Sequence, residues 1–158
     1  DTHDNIPMIK KAVALFNKRG VSLIIHAGDY VAPFSLTPIL ENVKAPFAGI
    51  FGNNDGDKKS LLKKSRQKIK NAPSFLKAGG KKIFIIHDIN SIKKGSLKYK
   101  ESDIVIFAHT HEPKTMFEDN KLFINPGECG GWLYGISTVS LLDTDKMTVE
   151  FLKLNEKD

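Results

Sequence analysis

From Ile6 to Lys18 the apolar residues Ile9, Ala12, Val13 and Phe16 recur at the spacing that lines one face of a helix. Asn5 ahead of this run, Pro7 inside its first turn and Gly20 beyond its end are start and stop signals, so the pattern predicts an amphipathic helix. Val21 to His26 then form a short β-rich run leading into Ala27-Gly28-Asp29, which predicts a buried strand with an aspartate at its carboxyl end. The alternation repeats with a helix near Ser35 to Asn42, a strand over Phe47 to Phe51, the turn Gly52-Asn53-Asn54-Asp55, and a lysine-rich helix from about Asp57 to Lys70.

After Ala72-Pro73 the pattern changes from alternating α and β to mostly consecutive strands. Phe75 to Ala78 and Lys82 to His87, separated by Gly79-Gly80, predict a hairpin. A weakly helical stretch precedes a strand over Asp103 to Ala108. Thr115 to Glu118, Leu122 to Asn125, Ser137 to Asp143 and Met147 to Lys153 carry the signals of an antiparallel meander, with turns at Asp119-Asn120 and Thr144-Asp145-Lys146. The order implies mixed sheets with helices outside, most economically two packed sheets in one α/β domain spanning residues 1–158. No internal repeat or linker interrupts it.

Composition narrows the picture only slightly. Twenty-four Lys and Arg against 18 Asp and Glu give +6, a balance that favours anionic partners, although solubility explains the lysines equally well. Only Arg19 and Arg66 offer the planar fork suited to bidentate phosphate recognition. A single cysteine, Cys129, makes no internal disulfide, and the apolar runs are too short to span a bilayer, so a reducing cytoplasm and no membrane are expected. Cys129 and Trp132 have no partner evident in sequence and are read as structural.

The residues that carry chemistry punctuate the predicted strands: Asp1-Thr2-His3, Gly28-Asp29, Gly52-Asn53, His87 and His109-Thr110-His111. Loops at strand carboxyl ends collect ligand sites because a rigid sheet brings distant residues together there. In extended chain, residues i and i+2 point the same way, so Asp1 with His3, and His109 with His111, are expected to face common sites. Seven donors of carboxylate, imidazole and amide type suit a mixed nitrogen and oxygen metal centre. Taken singly, His87 is as well explained as a core histidine and Gly28-Asp29 as an ordinary turn; the ordered set is what points to function. His26 is assigned no role in the site.

This ordered set closely resembles the calcineurin-like metallophosphoesterase signature, and Asn125-Pro126-Gly127-Glu128-Cys129-Gly130 resembles its small YfcE-like phosphodiesterase branch. The resemblance implies a four-layer α-β-β-α sandwich of two mixed sheets with outer helices. It implies two divalent metal ions, one held by Asp1, His3, Asp29 and His111 and the other by Asp29, Asn53, His87 and His109, with Asp29 as the bridge. Manganese is expected first, with nickel, zinc, iron or magnesium as alternatives. The implied reaction is direct hydrolysis of a small-molecule phosphodiester by a hydroxide bridging the two ions, with Asp29, Asn53 and Asn54 as the catalytic residues. A homodimer is compatible with the resemblance, and nucleic acid is the less favoured ligand. The alternative function is a catalytically weak or inactive interaction scaffold of the same fold, as in the retromer coat subunit.

Several positions depart from the family pattern. Many relatives have a histidine where this chain has Asn54, and an amide cannot act as a general acid near neutral pH. Asp88 and Ala108 replace glycines, and Asp88 is read equally as a carboxylate that orients His87, competes for a metal or disfavours an anionic substrate, and as a solvated loop aspartate. The resemblance also places an apolar strand directly before Asp-x-His, whereas this sequence opens on Asp1. An inner sheet is therefore expected to be one strand short, with residues upstream of Asp1 supplying it, and the site around Asp1 and His3 is expected to be weakened.

Overall fold

The computed structural model describes residues 1–155. The first helix, α1 (Ile6–Arg19), begins where the Asn5 side chain accepts a hydrogen bond from the Met8 amide and ends at Gly20 in the left-handed conformation that such a cap requires. Strand β1 (Ile24–His26) pairs in parallel with β2 (Phe47–Ile50), which pairs in parallel with the two-residue β3 (Ile69–Lys70). A 3-10 turn, Pro33–Leu36, and α2 (Thr37–Asn42) connect β1 to β2, while α3 (Lys58–Lys64) connects β2 to β3.

The second sheet has the order β4-β5-β6-β8-β7. Strands β4 (Ser74–Ala78) and β5 (Lys81–Ile85) form the expected hairpin, and β5 runs parallel to β6 (Ile104–Ile106). In turn, β6 runs parallel to β8 (Lys121–Pro126), and β7 (Pro113–Glu118) closes the edge antiparallel to β8. The short α4 (Leu97–Lys100) lies between β5 and β6 in sequence. A separate antiparallel pair, β9 (Thr138–Asp143) with β10 (Thr148–Lys153), completes the described chain.

Packing follows from residues that alternate between the faces of each sheet. Ile24 and Phe47 turn toward α1, α2 and α3, joining Ile9, Val13, Leu36, Ile39 and Leu61 in one core. Ile25 and Ile50 turn the other way and meet Ile83, Ile85, Ile104 and Ile124 of the five-stranded sheet. The outer face of that sheet packs Phe84, Val105, Phe107 and Phe123 against Tyr99 of α4. Because β1, β5 and β6 are covered on both faces, they read in sequence as apolar runs rather than as alternation. The result is the expected α-β-β-α layering.

One expectation needs correction. The helix expected to reach Lys70 stops at Lys64, because Arg66 and Gln67 adopt left-handed backbone and Ile69–Lys70 pair with β2. Lys68 and Lys70 therefore lie outside the lysine-rich helix. The first sheet, moreover, is divided in two. Among the described residues no strand pairs with β1 opposite β2 or with β9 opposite β10. A cavity of about 670 Å³ lies between these edges, walled by Val13 and Phe16 of α1, Ile24 of β1, Leu142 of β9, and Ile83 and Ile124 of the facing sheet.

Candidate metal centre

Four of the five segments that build the site lie just past the carboxyl end of a strand, with Asp29 after β1, Asn53 after β2, His87 after β5, and His109 and His111 after β6. The parallel pairs β1/β2 and β5/β6 send these loops to one end of the molecule. The fifth segment is the chain start, which is pinned there because the Thr2 and His3 amides both donate to the Asp29 carbonyl at 3.0 and 3.1 Å. His87 joins the two sheets: its Nδ1 lies 2.8 Å from the Ala27 carbonyl, which fixes Nδ1 as donor and leaves Nε2 free to act as a ligand.

Glycine is required at two positions by close approach. A β-carbon on Gly28 would lie 2.6 Å from the Gly52 nitrogen and 2.8 Å from His87 Nδ1, and Gly28 has a φ of 106°. A β-carbon on Gly52 would sit on Asp29 Oδ1. The buried Asp55 carboxylate holds both loops in place, accepting from the amides of Asp29 (3.1 Å), Gly52 (2.8 Å), Tyr30 (2.7 Å) and Val31 (2.9 Å).

The structure brings all seven predicted donors together, in two groups. His3 Nε2 lies 3.4 Å from His111 Nε2 and 3.6 Å from Asp29 Oδ2. Asn53 Oδ1 lies 2.8 Å from His87 Nε2 and 2.9 Å from His109 Nδ1. Asp29 Oδ2, 3.4 Å from His87 Nε2, lies between the groups. Asp1 is also central, with Oδ1 3.9 Å from Nε2 of His3, His87 and His111 alike, so its carboxylate spans the groups as Asp29 does.

Histidines 109 and 111 do not achieve this by the extended geometry expected of them. Both have left-handed backbone, as do His3 and Asp29, and a tight turn closes with the Thr110 amide donating to the Ala108 carbonyl. The two imidazoles consequently diverge, His109 toward Asn53 and His111 toward His3. Left-handed non-glycine residues cost of order 1–3 kcal/mol each, and their concentration here marks a site whose geometry the surrounding fold imposes.

Burial pushes the Asp29 pKa up, but the neighbouring His87 ring and hydrogen bonds from the backbone and side chain of Asn54 outweigh it and hold the carboxyl well below the usual carboxylate range. Asp29 is therefore ionised. Burial lowers the His3 pKa despite the opposing pull of Asp29, which keeps its ring neutral and ready to donate a lone pair. Asp1 Oδ1 is buried with no hydrogen-bond partner, a costly state for a carboxylate oxygen that a cation would relieve. Donors from Asp1, His3 and His111, and from Asp1, Asp29 and His87, lie within 4.8 Å of one another, a spacing compatible with ligand bonds of roughly 2.0–2.2 Å.

Comparison with known proteins agrees with this geometry. Residues 1–147 match the calcineurin-like phosphoesterase superfamily domain. The chain belongs to that superfamily. It is 39% identical over 151 residues to the phosphodiesterase MJ0936 of Methanocaldococcus jannaschii, covering 92% of this chain and 90% of that protein. The solved structure of an archaeal phosphodiesterase superposes with a TM-score of 0.88 at 35% identity, over 97% of this chain and 95% of the other. The phosphoesterase Yfce of E. coli shares the fold, with a TM-score of 0.68 at 14% identity over 98% and 96% of the two chains. Superfamily membership implies a hydrolase that uses divalent metal ions, and the cluster around Asp1 and Asp29 is its candidate metal site.

Three residues beyond the predicted set belong to this calcineurin-like centre. Asp55 ended a turn in the sequence and gave no sign of gathering four amides. Glu128 is 1% exposed and lies 3.0 Å from His111 Nδ1, inside a segment noted only for its resemblance. Trp132, expected to be structural, is 66% exposed while its Nε1 donates to the His3 carbonyl at 3.0 Å. Cys129 is buried as a structural thiol should be, its pKa pushed up to about 11 by burial. Asp88 neither orients His87 nor reaches a metal donor; its side chain caps the turn Ile89–Ser91 by accepting from the Asn90 amide.

Proposed function

We propose that the protein hydrolyses small phosphodiesters with two divalent cations, manganese first among the ions its donors suit. Asp1, His3, Asp29 and His111 would hold one ion and Asp29, Asn53, His87 and His109 the other. The observation that carries this reading is the gathering of seven nitrogen and oxygen donors from five segments, with His3, His87 and His111 each 3.9 Å from the buried, unpaired Asp1 Oδ1. The likeness to an archaeal phosphodiesterase supports the same reaction. Bound cations supply Lewis acidity toward phosphoryl oxygens and a nucleophilic hydroxide at neutral pH.

The chain's own residues arrange the surroundings. Asn54 donates from its backbone and its side-chain amide to the two Asp29 oxygens, each at 2.8 Å, and so holds that carboxylate in a fixed orientation. An amide cannot deliver a proton to a departing alcohol, so substrates are favoured whose leaving group needs none. Small substrates are favoured over nucleic acid because the exposed lysines of α3 have no aromatic residue on that helix on which bases could stack.

Turnover of an aryl phosphodiester and the matching monoester, measured with Mn²⁺, Ni²⁺, Zn²⁺, Fe²⁺ and Mg²⁺, tests the proposal. The diester is expected to be hydrolysed faster in a metal-dependent way, and Asn54→His is expected to raise the monoester rate. Equal rates on both substrates in the native protein contradict the role given to Asn54. Bound metal without any turnover supports the scaffold instead.

A further inference from the structure

One loop touches Asp1, His3 and His111 but, among the described contacts, none of Asn53, His87 and His109. The Gly130 amide donates to the Asp1 carbonyl at 3.0 Å, and the Gly130 carbonyl accepts from Asn5 Nδ2 at 2.7 Å. Trp132 Nε1 donates to the carbonyl of His3. Glu128 Oε2, 3.0 Å from His111 Nδ1, also accepts from the Leu133 amide at 3.1 Å, and Oε1 accepts from the Trp132 amide at 2.8 Å. Among the described contacts, Asn53, His87 and His109 receive nothing from this loop; His87 is held by the Ala27 carbonyl, and the His109 amide donates to Asp1 Oδ2 at 3.1 Å.

The geometry points to Glu128 and Trp132 as a clamp that sets the metal affinity of the Asp1, His3 and His111 position alone. This rests on the metal-centre reading proposed above. Glu128 is a positioning residue: its buried carboxylate lies 3.0 Å from His111 Nδ1, a buried nitrogen with no aligned hydrogen-bond partner, so the Nδ1–H tautomer is the one this neighbour favours, leaving the Nε2 lone pair on the side of Asp1 and His3. Outer carboxylates of this kind change metal affinity by roughly 10–100-fold when lost. Trp132 acts on His3 through the backbone carbonyl, fixing a residue whose left-handed φ of 41° the chain would otherwise leave.

The same carboxylate is the hydrogen-bond acceptor for the first amides of the loop bearing exposed Trp132, Leu133, Tyr134 and Ile136. Displacement of this exposed loop therefore reaches His111 through two hydrogen bonds and one imidazole contact.

Calorimetric titration of metal-free protein with Mn²⁺, in the native chain, Glu128→Gln and Trp132→Phe, tests the clamp, with ¹⁵N spectra of His111 reading its tautomer. Glu128→Gln is expected to weaken one of two binding events about 10–100-fold, leave the other within about threefold, and lower the share of the Nδ1–H tautomer. Trp132→Phe, which keeps an aromatic side chain at this exposed position and removes the Nε1 donor, is expected to weaken the same event to a lesser degree. Equal weakening of both events in protein with a native circular dichroism spectrum, or no weakening of either, overturns the clamp. If the native chain binds a single ion, the two-metal proposal fails while the clamp still faces its own test: it stands if Glu128→Gln weakens that ion and falls if it does not.

Discussion

His26 lies three residues before Asp29 and has the same chemistry as the four histidines of the metal centre, yet its surroundings give it a different part. Its Nε2 lies 3.1 Å from Thr2 Oγ1, its Nδ1 accepts from the Gly28 amide, and its ring stacks on Tyr30 with centroids 3.9 Å apart. Burial above all holds the His26 pKa well below its ordinary value; Asp29 pulls the other way, and His87 and His3 add to the lowering. In the unfolded chain the ring takes a proton below roughly pH 6.5, whereas the folded ring resists it. The unfolded state thus binds more protons, so His26 contributes stability above that pH that is progressively lost as the pH falls below it, by at most about 1.4 kcal/mol per unit. Thermal unfolding of native protein and His26→Gln between pH 7.5 and 5.5 should show the native melting temperature falling more steeply. Parallel slopes in the two proteins would remove His26 from this account.

At the scale of elements, much was legible because burial writes itself into residue order. The start and end of α1 followed from Asn5 and Gly20, and the hairpin of β4 and β5 from two glycines, both with positive φ. Illegible were features decided by distant partners. The end of α3 depends on Arg66 and Gln67 turning so that Ile69 can pair with β2, a contact that helical periodicity does not encode. The site was legible as a set of strand-end donors, while the turn geometry of His109 and His111 and the gathering of amides by Asp55 and Glu128 arise only once the loops meet. The divided first sheet leads to a further expectation. Measured on residues 1–158 alone, backbone amides on the cavity-facing edges of β1 and β9, which no described strand covers, should exchange faster than those of β6, which is paired on both sides. Equal protection of the three strands contradicts open edges.

Across the whole molecule, two sheets facing each other place their loops at one end, where backbone strain and buried charge are concentrated. Asp29 is held ionised and His3 neutral, the forms in which each can donate to a cation, and the buried, unpaired Asp1 Oδ1 is a cost that a cation would offset. No described helix is long and apolar enough to cross a membrane. The central claim is that this end of the protein is a two-metal phosphodiesterase centre built around Asp29. Metal content per chain, determined by elemental analysis alongside diester hydrolysis for native protein and Asp29→Asn, tests it most directly. The account predicts two manganese ions per native chain, with both occupancy and turnover reduced in the variant; two fully retained ions with native turnover in Asp29→Asn would contradict it.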